Sequence, residues 1–161
     1  MQYTKQAISI DEQLELLQER GLGVDNVQEA RDMLYRVSYF RLADYWRPME
    51  ADHSTRRFRV GAHFNRVLTL YRFDSELKVL LSRLYSNFAI PTAKHTVARS
   101  LGVRHYRILR SWMVSIAYLL KSIDPQTTFV ADLKSLIAKY PKVSPSAMGF
   151  SNDWEQEPLW Q

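Results

Sequence analysis

The sequence predicts an all-α protein: one domain over residues 1–161, a bundle of about six helices with an irregular C-terminal tail docked on it. Three observations predict it. Apolar residues recur at three- and four-residue spacing along most of the chain, the period of one helix face. Recognisable start and stop residues bracket the periodic stretches. Only one short stretch, Arg57-Phe-Arg-Val60, alternates with the period of a strand. A length of 161 residues with 46% hydrophobic side chains is enough for a single core.

Each element has its own signal. Ser9-Ile-Asp-Glu12 is a capping box that opens a helix carrying Ile10, Leu14 and Leu17, and Gly21 ends it. Asp25-Asn-Val-Gln28 reads as a second cap. The helix after it runs toward Arg36 and is expected to bury Val27, Ala30, Leu34 and Val37. Tyr39, Phe40, Leu42, Tyr45 and Trp46 are expected to pack in the core, and Pro48 stops them. Residues 50–57 read as a loop.

The longest pattern runs from His63 to about Phe88, free of Gly and Pro. Pro91 opens a further helix and Leu101-Gly102 breaks it. From about His105 to Ile123, the residues Ile108, Leu109, Trp112, Ile116, Leu119 and Leu120 are expected to face inward. Asp124-Pro125 is a turn, and Thr128 caps a last helix with Phe129, Leu133, Leu136 and Ile137, ended by Pro141. Met148, Phe150, Trp154, Leu159 and Trp160 make the tail too apolar to stay disordered, so it should dock on the helices.

Charge is distributed unevenly. Residues 1–55 balance at −4, residues 56–110 at +10 and residues 111–161 at −1, giving the net +5. A basic middle attracts polyanions by counterion release. Equally, it could be a solvated face that pairs with the acidic first helices. There is no cysteine, so neither disulfides nor cysteine-bound zinc enter. The start shows no signal-peptide pattern, and no apolar run approaches the roughly 20 residues of a membrane span. The expectation is a cytoplasmic protein with no membrane partner.

Motifs for chemistry are few. His53, His63, His95 and His105 form no His-x-x-x-His pair, so neither a metal site nor a cofactor is expected. There is no phosphate-cradling glycine loop and no nucleophile elbow. Asp74 and Glu76 lie two apart and project to different helix faces, which disfavours a paired-carboxylate site. Asp74 is expected to hold an arginine such as Arg41 or Arg72, with Glu76 solvated.

Several segments together resemble the Abi-like (abortive infection) family of bacterial phage-resistance proteins. They are Glu12–Leu22, Val37-Ser-Tyr-Phe-Arg-Leu-Ala-Asp-Tyr-Trp46, Leu70-Tyr-Arg-Phe-Asp-Ser-Glu-Leu-Lys-Val-Leu80, Leu81-Ser-Arg-Leu-Tyr-Ser-Asn-Phe88, Leu109-Arg-Ser-Trp112, Lys139-Tyr-Pro141, Met148-Gly-Phe-Ser-Asn-Asp-Trp154 and Pro158-Leu-Trp160. The resemblance implies a HEPN-like helical fold, a role in RNA-directed antiviral defence and an internally shortened chain. Active members of that group use Arg followed by His, usually as Arg-Asn-x-x-x-His. This chain has no Arg-Asn dipeptide, and only the looser pairs Arg57/His63 and Arg99/His105, each interrupted by a glycine.

Three functions follow. A catalytically silent relative would bind RNA, with Arg56, Arg57, Arg59, Arg66, Arg72, Arg104, Arg107 and Arg110 on phosphates. A metal-independent endoribonuclease would use Arg99 and His105 as its catalytic pair. An interaction module would form a homodimer or pair with a full-length family member.

Overall fold

The computed structural model describes residues 8–87 and 109–161, with side chains over 8–80 and 110–161. Among them are six α-helices and one two-stranded hairpin, the expected mostly helical class. The chain divides into two compact units, Met1–Leu68 and Thr69–Gln161.

In the first unit, α1 (Ile10–Glu19) starts on the expected capping box: the Glu12 amide donates to Ser9 Oγ at 3.2 Å and the Ser9 amide to Glu12 Oε2 at 2.5 Å. Such a cap stabilises a helix by about 1 kcal/mol. Gly21, at φ 95, closes α1 in a Schellman turn, with Leu22 N–H on the Leu17 carbonyl at 3.0 Å and Gly21 N–H on Gln18 at 2.9 Å. Leu17 and Leu22, the residues that meet in such a turn, are both buried.

Helix α2 (Val27–Val37) buries Ala30 and Leu34. Its cap is Asn26, whose Oδ1 accepts from the Glu29 amide at 3.1 Å, one residue later than the expected Asp25. Asp25 is engaged elsewhere, by Asn65 Nδ2 and His63 Nδ1, each at 3.3 Å. Val27, the first residue of α2, is exposed rather than buried.

Helix α3 (Tyr39–Trp46) follows at once. The break between α2 and α3 is Ser38, at φ 77 and ψ 150, a conformation that favours glycine. Hydrogen bonds continue on both sides of it, from Ser38 N–H to the Leu34 carbonyl and from Leu42 N–H to the Ser38 carbonyl. Leu42, Tyr45 and Trp46 are buried as expected, and Tyr39 meets Trp46 edge-on at 4.9 Å. Phe40 corrects the sequence reading: it is 83% exposed, because α3 turns that side of the elbow to solvent.

The stretch expected as a loop over residues 50–57 holds a strand, β1 (Glu50–Asp52), which pairs antiparallel with β2 (Arg57–Phe58), the start of the alternating segment Arg57–Val60, in a small hairpin. Its exit is stitched to the turn after α1. Phe58 N–H bonds the Arg20 carbonyl, Gly23 N–H bonds Ala62, and Phe64 N–H bonds Gly23, all within 2.9 Å. This stitching needs Gly23, since a Cβ there would lie 2.6 Å from His63 Nδ1.

Helix α4 (Phe64–Asn87, one residue inside each expected end) begins in the first unit, and from Thr69 on it supplies the core of the second with α5 (Leu109–Ile123) and α6 (Phe129–Lys139). Phe73 and Leu77 of α4 join Met113, Ala117 and Leu120 of α5 and Phe129, Leu133, Leu136 and Ile137 of α6. The buried stripe of α5 is turned from the expected one: Met113 and Ala117 are inside, Trp112 and Ile116 are half-buried, and Leu119 is 51% exposed. The bulky side chains alone mark a different stripe, since the small Ala117 at the centre of the buried one carries little hydrophobic signal.

Thr128 holds the cap position of α6, but its hydroxyl donates to Asp132 Oδ2 at 2.9 Å instead of accepting an amide. Tyr140, which precedes Pro141, leaves helical geometry as a pre-proline residue must. The tail docks as expected. Met148, Phe150, Trp154 and Trp160 are buried in the same core, with the Phe150 and Trp154 rings 4.7 Å apart and the two tryptophan rings 5.5 Å apart. Lys121 Nζ donates to the Leu159 carbonyl at 2.8 Å and fastens the tail to α5.

Candidate nucleic-acid interface

The hairpin and the start of α4 gather the cationic side chains. Asp52 organises the hairpin turn. Its carboxylate accepts from the Ser54 amide at 2.9 Å and from the Ser54 and Thr55 hydroxyls at 2.8 Å. The Ser54 amide above all, then the two hydroxyls, hold its pKa at about 2, so Asp52 stays ionised across the physiological range. The turn is completed by Arg56 at φ 55.

Phe58 is buried and pins β2, which leaves its neighbours Arg57 and Arg59 on the exposed side. Glu50, buried at the base of the hairpin, takes His53 Nδ1 at 2.7 Å. In the first turn of α4, Phe64 and Val67 face in and Arg66 faces out.

Arg56, Arg57, Arg59 and Arg66 thus fall on one short segment, all exposed. Among the described residues none of the four pairs with a carboxylate, whereas Arg31, Arg47 and Arg110 do. This bears on the two readings of the basic middle. These four arginines are not spent on the acidic first helix, whose Asp11 takes Arg31 instead, at 2.5 Å.

The other expected cations are placed differently. Arg72 is exposed on α4 in the second unit. Arg110 is half-buried, with Nη2 donating to both Glu157 oxygens at 3.0 and 2.7 Å, and Ser151 and Trp160 donate to the same carboxylate. Burial pushes Glu157 up, but the Arg110, Ser151 and Trp160 bonds outweigh it and hold the carboxyl below its usual value. Arg110 is thereby part of the tail's anchorage. Arg104, Arg107 and the pair Arg99/His105 lie outside the described residues. The other loose pair does not share a helix: Arg57 is in β2, and His63 precedes α4 beside Asp25.

The two α4 carboxylates diverge as expected. Asp74 is buried and takes Lys78 Nζ at 2.6 Å. Glu76 is not simply solvated. It accepts from Lys139 Nζ at 2.7 Å and from the Tyr140 hydroxyl at 2.5 Å, tying α6 to α4. The Lys139 and Tyr140 bonds lower the Glu76 pKa, while burial and then the Glu76 hydrogen bond push the Tyr140 hydroxyl up to about 12. The sequence reading missed this cluster because its partners lie 63 and 64 positions apart, beyond any local pattern.

Among the described residues no three His, Asp or Glu side chains are grouped to hold a metal ion, and no helix is long and apolar enough to cross a membrane.

The fold and this segment define a helical protein with an unpaired arginine stretch on a small hairpin. Residues 32–84 match the family described as Abi-like protein, and over that segment the chain is similar to it. The match takes in most of α2, the Ser38 break, α3, the hairpin with its arginines, and α4 as far as Leu84. No curated protein and no solved structure matches the chain.

Proposed function

We propose that this protein acts in phage defence as a catalytically silent relative of the HEPN group that binds RNA through residues 56–66. One observation carries the reading. Arg56, Arg57, Arg59 and Arg66 stand exposed and unpaired within the Abi-like segment, in a chain whose other described arginines include several already bound to carboxylates. Unpaired guanidinium groups on a pre-formed turn suit phosphate oxygens, because each presents a planar fork of donors and loses no internal ion pair on binding. The absence of any Arg-Asn dipeptide supports silence.

The test is fluorescence anisotropy with a labelled, unstructured RNA at low salt, beside a gel that follows its length. Saturable binding that is lost in the Arg57→Ala/Arg59→Ala variant, with the RNA intact, is the expected result. Undetectable binding overturns RNA recognition, and metal-independent cleavage overturns silence.

A further inference from the structure

The hairpin that carries the arginines also carries an imidazole of fixed orientation. His53 opens the loop between β1 and β2 and Arg56 closes it, since Asp52 and Arg57 are cross-strand partners. The ring folds back onto Glu50, whose Oε2 lies 2.7 Å from His53 Nδ1. Glu50 is 7% exposed and stands opposite the buried Phe58, so this carboxylate is itself held in place. The His53 side chain, by contrast, is 75% exposed. One edge of the ring is anchored and the rest stands in solvent.

A carboxylate only accepts hydrogen bonds, so Nδ1 carries the ring hydrogen and the neutral imidazole keeps its lone pair on Nε2. That makes Nε2 an acceptor in a neighbourhood of donors. Arg56, Arg57 and Arg59 offer only N–H groups. The Asp52 carboxylate, the neighbouring acceptor, is taken up by Ser54 and Thr55. Phosphate oxygens suit the arginines but have nothing to give an acceptor. The donor that an RNA backbone does present is the ribose 2′-hydroxyl, which DNA lacks.

We propose that His53, oriented by Glu50, reads the ribose 2′-hydroxyl and makes the hairpin selective for RNA over DNA. This rests on nucleic-acid binding at residues 56–66 and names what the same site adds to charge. The loop is short enough for His53 and Arg56 to meet adjacent parts of one strand. Their Cα atoms each lie one residue, about 3.8 Å, beyond a cross-strand pair roughly 4.5–5.5 Å apart. The contact reads the sugar without cutting the chain. Cleavage needs an acid for the leaving oxygen besides a base on the hydroxyl, and guanidinium groups do not give up their protons.

Fluorescence anisotropy of the whole protein at low salt and about pH 8, above the ordinary imidazole range, tests this. One sequence is compared as RNA, as DNA and as 2′-fluoro RNA, which keeps phosphates and bases but has no hydroxyl hydrogen. Wild type is expected to bind RNA about three- to tenfold more tightly than either, the yield of one hydrogen bond. His53→Ala, at an exposed site, should bring RNA down to the affinity of the other two and leave theirs unchanged. Glu50→Gln, checked for folding by circular dichroism, should shrink the preference, because an amide can donate to Nδ1 and send the ring hydrogen to Nε2.

Equal binding of RNA and 2′-fluoro RNA by wild type overturns the proposal and leaves the charge-based binding in place. So does a preference that survives His53→Ala. A His53→Ala variant that weakens all three alike, with the salt slope reduced by about 0.7, also overturns it and makes the ring one more phosphate contact. A preference untouched in folded Glu50→Gln removes Glu50 as the positioning residue. Binding of none of the three removes the RNA-binding reading, and this proposal with it.

Discussion

Removing the Tyr140 hydroxyl should change both how stable the second unit is and how that stability responds to alkali. Tyr140 donates to Glu76, and its hydroxyl is pushed up to about 12 from an ordinary 10.0. The direction of the effect follows from linkage. Between those two values the unfolded chain releases the proton while the folded chain keeps it. The group's stabilisation is therefore complete below about pH 10 and is lost as pH rises through about 12.

Each decade of proton affinity is worth about 1.4 kcal/mol, which sets a ceiling near 2.7 kcal/mol. The Glu76 side chain is 40% exposed, so water screening brings the expected value to about 1–1.5 kcal/mol. A hydrogen bond to a charged acceptor is worth about 1.5–3 kcal/mol when well shielded, and less here for the same reason.

The assay is urea unfolding of wild type and Tyr140→Phe followed by circular dichroism, from about pH 8 to pH 11.5. Wild type should be the more stable by that amount at the lower pH, and the gap should close above about pH 10. General deprotonation of lysines affects both proteins and cancels in the difference. A gap that stays constant to the highest pH would refute the reasoning, because it would mean that the hydroxyl's ionisation is not coupled to folding.

Other consequences are as specific. Gly23→Ala forces a Cβ to within 2.6 Å of His63 Nδ1 and should cost about 1–2 kcal/mol. In a double-mutant cycle most of that cost should vanish on a His63→Ala background, and additive losses would rule the contact out. Ser38→Gly should stabilise the first unit by about 0.5–1 kcal/mol in urea unfolding, since glycine adopts positive φ without penalty; destabilisation would show that the elbow is unstrained. Glu157→Gln should loosen the tail and red-shift tryptophan emission at neutral pH. Wild type should show the same shift only in acid, as pH falls through the lowered value of that carboxyl, because a depressed carboxylate stabilises above its unfolded pKa and not below its folded one.

Local signals were legible in the sequence, and relations between distant segments were not. Ser9 with Glu12, Gly21 and Pro141 fix their helix ends through interactions within a few residues, and each end stands where those residues put it. Trp154 and Trp160 announced a docked tail because such side chains cannot stay in water. The Ser38 break was hidden, since neither glycine nor proline marks it and only the packing on both sides holds the strain. Phe40 was misread for the related reason that hydrophobicity signals the core only when the face it occupies is known.

The site was half visible. The excess of arginine in the middle of the chain could be counted, but which guanidinium groups are free depends on where Asp11, Asp44 and Glu157 come to lie. Arg110, indistinguishable from Arg57 by composition, is held by a carboxylate 47 positions away.

The salt dependence of RNA affinity bears most directly on the role given to the arginine segment. Four phosphate contacts on a single strand predict that log K falls with log salt at a slope of about −2.8, a loss of roughly 50-fold between 50 and 200 mM. Replacing Arg56, Arg57, Arg59 and Arg66 together by alanine should remove most of that slope along with the binding. Affinity and slope that survive the fourfold replacement would place the RNA elsewhere and contradict the account.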